Sequence, residues 1–313
     1  MIIRPPKSNE YEQVIRCLKE ARGANYYSTK FYDIDYLRGG EHELFAAFDD
    51  KGEMTGVTGL SLTPFEKDKI TLSLLNIRPQ YTGQGIGTEL LTYTTNLLKS
   101  RSAKSVKGHV VTRYTSIQKV LEKLDLKPTG ILKGIRDGRN ITPPIQGKCA
   151  LAIYVRGFIS KLPKTLYVHN DIIDLAKHVY SNLDVDVLLT SDGKCDSISE
   201  VDSYYDSHDN VLSVHIKSCV CESGLCLDDF AVNYRSSENL TELVFLNLYS
   251  PSAICGYTSL INNGYFFCGF DPLGEFENAV FYKGNTYSAI PEATNNLTML
   301  LNKINEVGNC DCS

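Results

Sequence analysis

A chain of 313 residues with 42% hydrophobic content has the make-up of a globular protein and room for two domains, each large enough to bury its own core. Its formal charge of −5, with lysines and arginines scattered, argues against default affinity for nucleic acid or an anionic membrane. No run approaches the roughly 18 apolar residues that cross a bilayer. The start, Met1-Ile2-Ile3-Arg4-Pro5-Pro6, is too poor in apolar residues for a signal peptide, so a cytoplasmic location is expected.

In chain order, Glu10 to Ala21 carries Val14, Ile15, Leu18 and Ala21 at helical spacing. Asp33 to Arg38 is a short candidate helix. Glu43 to Phe48 and Met54 to Leu62 read as a hairpin around the polar turn 49–53. Lys69 to Ile77 is an apolar strand running into Arg78-Pro79, followed by a glycine-rich turn and a helix with Leu90, Leu91, Thr94, Leu97 and Leu98 on one face. Val106 to Val111 is the next strand and Ser116 to Leu124 the next helix. Thr129 to Lys133 and Lys148 to Val155 close the first half. The pattern breaks over Phe158 to Thr165, which sets a boundary between domains 1–158 and 165–313. The second half offers a helix over Asn170 to Tyr180 and strands over Val185 to Thr190, Val211 to Ile216, Phe230 to Tyr234 and Leu243 to Leu248. A helix over Ser252 to Asn262 and strands over Tyr265 to Phe270 and Asn278 to Tyr282 complete it. This is an α/β (α+β) mixed sheet flanked by helices, and the similar element order of the halves suggests a duplicated fold.

The segment richest in chemistry is Thr82-Gly83-Gln84-Gly85-Ile86-Gly87-Thr88, between a strand and an amphipathic helix. Alternate glycines let backbone N–H groups converge without Cβ obstruction, and the positive end of the new helix adds to a site for phosphate oxygens. A dinucleotide fingerprint needs Gly-x-Gly-x-x-Gly in an N-terminal βαβ unit, and a P-loop needs Gly-Lys-Ser/Thr. Neither is present. Lys99, Arg101, Lys104 and Lys107 are either a solvated helix end or a cation rim near the bound phosphates. Among the ten cysteines, Cys219-Val-Cys221…Cys226 and Cys310-Asp-Cys312 cluster, but without the paired Cys-x-x-Cys of structural zinc. Free buried or surface thiols are expected, beside some redox pairing, with a metal-binding regulatory protein as a rival reading.

The glycine loop resembles the coenzyme A loop of the GNAT acyltransferase superfamily, Arg/Gln-x-x-Gly-x-Gly/Ala, with Thr82 where the leading Arg or Gln usually stands. Tyr26 to Asp33, Val110 to Gln118 and Gly130-Ile131-Leu132 extend the likeness over 1–158. Gly264 to Phe270 is similar to the degenerate second domain of tandem members, here without a Gly-x-Gly loop and so expected to bind no coenzyme A. The resemblance implies the GNAT fold in two tandem copies and an acetyl-CoA or other acyl-CoA substrate. It implies direct transfer of the acyl group to an amine of a small molecule or peptide, with no nucleic acid or membrane partner. It further implies that the fourth and fifth strands splay to admit the pantetheine arm against Leu75, Asn76 and Ile77, and that an N–H there stabilises the developing oxyanion. The tyrosine acid of many relatives aligns with Leu121, so it is absent. Tyr114 is the replacement, beside ordinary packing. His109, with an ordinary pKa of about 6.5, is the candidate base, beside a core or surface role. Tyr26, Tyr27, Phe31 and Tyr32 either wall the acceptor site or pack in the core. Glu41 and Glu43 attract a cationic amine or simply end a strand. A non-catalytic acyl-CoA sensor is the alternative to an enzyme.

Overall fold

The computed structural model describes residues 1–313 except 24–28, 41, 63–68, 139–140, 142–143, 145, 195–198, 208, 220–239, 285–292 and 309–313. The first half contains strands β1 (Ile2–Arg4), β2 (His42–Phe48), β3 (Met54–Leu62), β4 (Lys69–Ile77), β5 (Ser105–Val111), β6 (Lys127–Asp137) and β7 (Lys148–Gly157). Its helices are α1 (Tyr11–Arg22), α2 (Ile34–Arg38), α3 (Ile86–Ser100) and α4 (Thr115–Lys123). The second half contains β8 (Leu166–Tyr167), α5 (Asn170–Asn182), β9 (Leu189–Thr190), β10 (Glu200–Asp206), β11 (Val211–Ser218), β12 (Thr241–Asn247), α6 (Ala253–Asn262), β13 (Phe266–Asp271), β14 (Asn278–Gly284) and α7 (Asn295–Gly308).

Local chemistry explains the element ends. Val14, Cys17 and Leu18 of α1 are buried on one face, and Gly23, at φ 89°, stops the helix while its N–H reaches Lys19 O. The Asp33 carboxylate caps α2 by accepting from the N–H groups of Asp35 and Tyr36. Strand β7 is buried from Lys148 to Val155, as expected for a central strand covered on both faces. The expected strand over Val185 to Thr190 is only Leu189–Thr190. Its polar Asp184 and Asp186 break the apolar run, and Asp186 bonds to the segment 160–162 instead. Strand β6 runs four residues past its expected end, to Asp137, through an irregular pairing between Leu132 and Arg136. The expected strand over Phe230 to Tyr234 lies outside the described residues. Strands β1, β8 and β10 and helix α7 were not foreseen.

Among the described residues, twelve strands form one sheet in the order β1-β2-β3-β4-β5-β7-β6-β13-β14-β12-β11-β10. The pairing of β3-β4-β5-β7-β6 is antiparallel, parallel, antiparallel, antiparallel. The run β10-β11-β12-β14-β13 repeats that sequence of senses, and α6 links β12 to β13 as α4 links β5 to β6. The equivalent strands β6 and β13 meet antiparallel at the middle, as an approximate two-fold axis would arrange them. Their pairing is confined to Gly130 and Gly269. Gly269 has φ 101°, and a Cβ on it would lie 2.6 Å from Gly130 Cα, so only glycine fits at this crossing.

The halves also share one apolar core, in which Tyr154, Leu151, Tyr180, Phe267, Phe270 and Phe281 are all buried. Polar contacts cross the seam as well. Lys107 Nζ pairs with Asp271 at 2.6 Å, both nearly fully buried, and Ser105 Oγ donates to Leu273 O. Lys148 Nζ donates to Thr241 Oγ1 and Asn210 O, and Arg136 pairs with Asp209. The segment Phe158 to Thr165 is tied to both sides: Phe158 N–H bonds Lys104 O, and Leu162 N–H bonds Asp186 O. Among the described residues, no helix is long and apolar enough to cross a membrane.

Candidate active site

The parallel ladder between β4 and β5 covers Lys69–Leu72 and Ser105–Gly108 and stops there. Beyond it, β4 stays paired to β3 as far as Ile77 and β5 to β7 as far as Val111. The inner edges of Ser73–Ile77 and His109–Val111 therefore face a wedge. At about 3.3 Å per residue, the β4 side of this fork is about 16 Å long. It is an unpaired strand edge, able to take an extended ligand as an added strand. Among the described residues the second half shows no such opening: β11 and β12 stay paired from Val211–Thr241 to Ile216–Leu246.

At the mouth of the fork, β4 carries a bulge. Its pairing with β3 steps from Gly59–Ser73 to Val57–Asn76, one extra residue on β4. Leu74 takes φ 51° there, a conformation unusual for a branched side chain. Asn76, only 6% exposed, braces it: Nδ2 donates to Leu74 O at 2.8 Å, and Oδ1 accepts from Arg22 Nε at 2.6 Å.

The glycine loop follows. Pro79–Tyr81 form a 3₁₀ turn, Gly83 has φ 82° and Gly85 φ 81°. Gly85 is the N-cap of α3, and no side chain caps that helix. The first-turn N–H groups, at Ile86, Gly87 and Thr88, thus remain as donors where the helix dipole is positive. Thr82 and Gln84 are exposed, whereas Ile86 is buried beside Ala47 and Leu90, with Ile77 and Tyr81 packed against them. The loop is therefore anchored by an apolar pin while residues 82–85 stay exposed. An uncapped helix start at the end of an open strand edge fits a ligand with a diphosphate at one end and an extended polyamide arm at the other.

The other sequence-derived residues fall around this fork unevenly. Leu75, Asn76 and Ile77 line its β4 side. His109, half-buried, is the first β5 residue past the ladder, and Tyr114 is half-buried at the N-cap of α4. Leu121 is packed beneath β5: a Cβ on Gly108 would meet it at 2.9 Å, so this α4 position is core. Phe31 stands against Tyr36 and His42, with ring centroids 5.6 Å apart in each pair. Tyr32 turns away to donate to Gly23 O, under Lys19. Tyr26, Tyr27 and Glu41 lie outside the described residues. Sequence reasoning missed His42, whose Nδ1 is 3.2 Å from Ser73 Oγ at the start of the fork. It also missed the brace from Arg22. Neither has a periodic signal, because each depends on which strands become neighbours.

The cation rim is corrected. Lys107, in β5, is buried against Asp271, and Arg101, which pairs with Glu43, caps the far end of α3, about 20 Å along its axis from the loop. Glu43 is accordingly engaged in an ion pair. Of the described cysteines, Cys17, Cys149, Cys219 and Cys268 are buried thiols, and Cys255 is disulfide-bonded. Among the described residues no group of His, Cys, Asp and Glu is placed to hold a metal ion. Cys221, Cys226, Cys310 and Cys312 lie outside them.

The sequence model of the Acetyltransferase (GNAT) family matches residues 11–125. No curated protein matches the chain. Among solved structures, the chain is similar to the ribosomal-protein-S18-alanine N-acetyltransferase of Escherichia coli, at 14% identity over 49% of this chain and 91% of that one, with TM-score 0.40. An N-acetyltransferase of Staphylococcus aureus Mu50 gives 16% identity, 50% and 97% coverage and TM-score 0.42. An aminoglycoside 6'-acetyltransferase type Ii gives 18% identity, 51% and 98% coverage and TM-score 0.40.

Proposed function

With residues 11–125 a domain of the acetyltransferase (GNAT) family, we propose that the protein is an N-acyltransferase that moves an acetyl or longer acyl group from acyl-CoA to a primary amine of a small molecule or peptide. The observation that carries this reading is the coincidence, at one end of β4, of an open strand edge, a braced bulge and an uncapped helix start. Acyl-CoA supplies an activated thioester. The chain's own groups hold it: the amides of 86–88 take the diphosphate, and the edge of Leu75–Ile77 takes the pantetheine arm. The bulge aims one backbone N–H at the acyl oxygen, where negative charge develops. Because coenzyme A is a fair leaving group, the remaining task is to orient the amine and take its proton. His109, the first residue on the β5 side of the fork, is our candidate base, and Tyr114, just beyond β5, our candidate thiolate-protonating acid. Phe31, beside Tyr36 and His42, is our candidate acceptor wall.

The second half, whose parallel strand pair is closed, binds no acyl-CoA in this reading, and the domains are 1–158 and 165–313. Among the described residues, the buried thiols of Cys17, Cys149, Cys219 and Cys268 suit a reducing cytoplasm, with the disulfide-bonded Cys255 the exception.

Calorimetry with acetyl-CoA and coenzyme A, followed by thiol release with DTNB across an amine panel, tests the proposal. Micromolar binding with turnover on at least one amine is expected, and absence of binding would refute it. A specific observation favours one second reading, a non-catalytic acyl-CoA sensor: the usual acid position is occupied by the buried Leu121. Tight binding with no turnover on any amine would select it.

A further inference from the structure

We propose that the second half acts as a clamp that fixes the angle of β5 and thereby holds the fork open, through the buried pair Lys107–Asp271. This rests on the acyl-CoA reading of the fork and assigns the second half a part in it. Strand β5 loses its β4 partner after Gly108, so three other contacts must set its direction. Its outer edge is paired to β7 from Ser105 to Val111. One face rests on Leu121 through Gly108. Side chains alternate along a strand, so Ser105, Lys107 and His109 share the opposite face, and there the second half takes hold. Lys107 Nζ lies 2.6 Å from Asp271 Oδ2, with side-chain exposures of 5% and 1%, and Ser105 Oγ donates to Leu273 O at 2.6 Å.

The position of this contact is the reason to assign it a role. Lys107 pairs with Thr71 one residue before the ladder ends, so it is fastened at the hinge of the wedge, two residues before His109. On the other side, Asp271 closes β13 two residues after Gly269, which crosses Gly130 at the seam, so the carboxylate is carried on a fixed backbone. Burying an ion pair seldom adds net stability over apolar side chains of similar size. A buried pair spanning two halves at a hinge therefore has its use in geometry: it permits one separation and orientation of the elements it joins. The second half's own parallel pair, β11 and β12, stays closed. Lys107 and Asp271 are thus positioning residues that act through β5 and touch no substrate.

Hydrogen exchange of the full chain, with and without saturating acetyl-CoA, reads the coupling directly. Protection is expected at 73–77 and 82–88, where the ligand binds, and also at 266–273, which it does not touch, since coupling between two sites is reciprocal. Protection at the first two with none at 266–273 would overturn the clamp. No protection at 82–88 would instead overturn the acyl-CoA reading beneath it. The double variant Lys107→Met with Asp271→Leu gives a second readout. Its melting temperature should stay close to the parent's, while its acetyl-CoA dissociation constant should rise by about 5- to 150-fold, the usual span of such couplings. Parent-like affinity in the folded double variant would also sink the proposal. Should that variant not fold, the exchange result on the parent chain decides alone.

Discussion

Two alanine substitutions three Å of rise apart on the same loop, Gly85→Ala and Gly87→Ala, should have opposite effects, and the backbone explains why. Gly85 sits at φ 81° as the N-cap of α3. A Cβ there meets nothing within 4 Å, so space is not the obstacle, but an L-residue in this left-handed region costs about 1–2 kcal/mol. If the free loop relaxes to avoid the strain, binding must restore it, and that strain becomes an affinity loss of about 5- to 30-fold. Gly87 lies inside the first turn of α3. A Cβ there would touch Ile77 Cγ1 at 3.7 Å, an ordinary contact. Alanine is favoured over glycine in a helix by up to about 1 kcal/mol, so Gly87→Ala should stabilise the chain and leave coenzyme A binding nearly unchanged. Calorimetry with coenzyme A and urea unfolding on both variants measure the two quantities. Equal affinity losses at the two sites, or parent-like binding by Gly85→Ala, would refute the reasoning.

Other expectations follow from the same contacts. Asp271→Asn alone removes the carboxylate paired with the buried Lys107 ammonium and should destabilise the chain by about 3–5 kcal/mol in chemical denaturation. Asn76→Ala removes the brace on the bulge together with its bond to Arg22 Nε; a stability loss of about 1–3 kcal/mol should accompany slower acyl transfer, measured by thiol release. Hydrogen bonding to Arg4 holds the Glu10 carboxyl below its usual 4.5, at about 2. A group with a depressed folded pKa stabilises above its unfolded value and loses that stabilisation as pH falls through the folded one. Glu10→Gln should therefore weaken the chain at pH 6 and have little effect near pH 2, as unfolding curves at both pH values would reveal. Burial pushes the Cys17 thiol up to about 12, so iodoacetamide at pH 8 should leave Cys17 unlabelled until the chain is unfolded, as peptide mass mapping would report.

The elements with a strong period were legible from the sequence: α1, α3 and β4 lie within a residue or two of where their apolar spacing puts them. The glycine loop was legible because three alternate glycines between a strand and an amphipathic helix have few other uses. Val185 to Thr190 shows the opposite case. Its valines and leucines look like a strand, but the flanking aspartates take backbone partners elsewhere. The brace on Leu74 and the His42–Ser73 contact were out of reach, since each joins residues brought together only by the order of strands. Lys107 was misread as surface charge because a lone lysine carries no sign of a carboxylate 164 residues away.

The single glycine-on-glycine crossing at the centre of the sheet has a consequence for synthesis. Strand β6 leaves the ribosome about 140 residues before β13, which at about 5–20 residues per second is a wait on the order of 10 s. During that interval a long, open backbone edge has no cover. The proline and the charges spaced along it, Lys127, Pro128, Lys133 and Arg136, are the sort of guard that keeps an uncovered edge from recruiting a neighbouring chain.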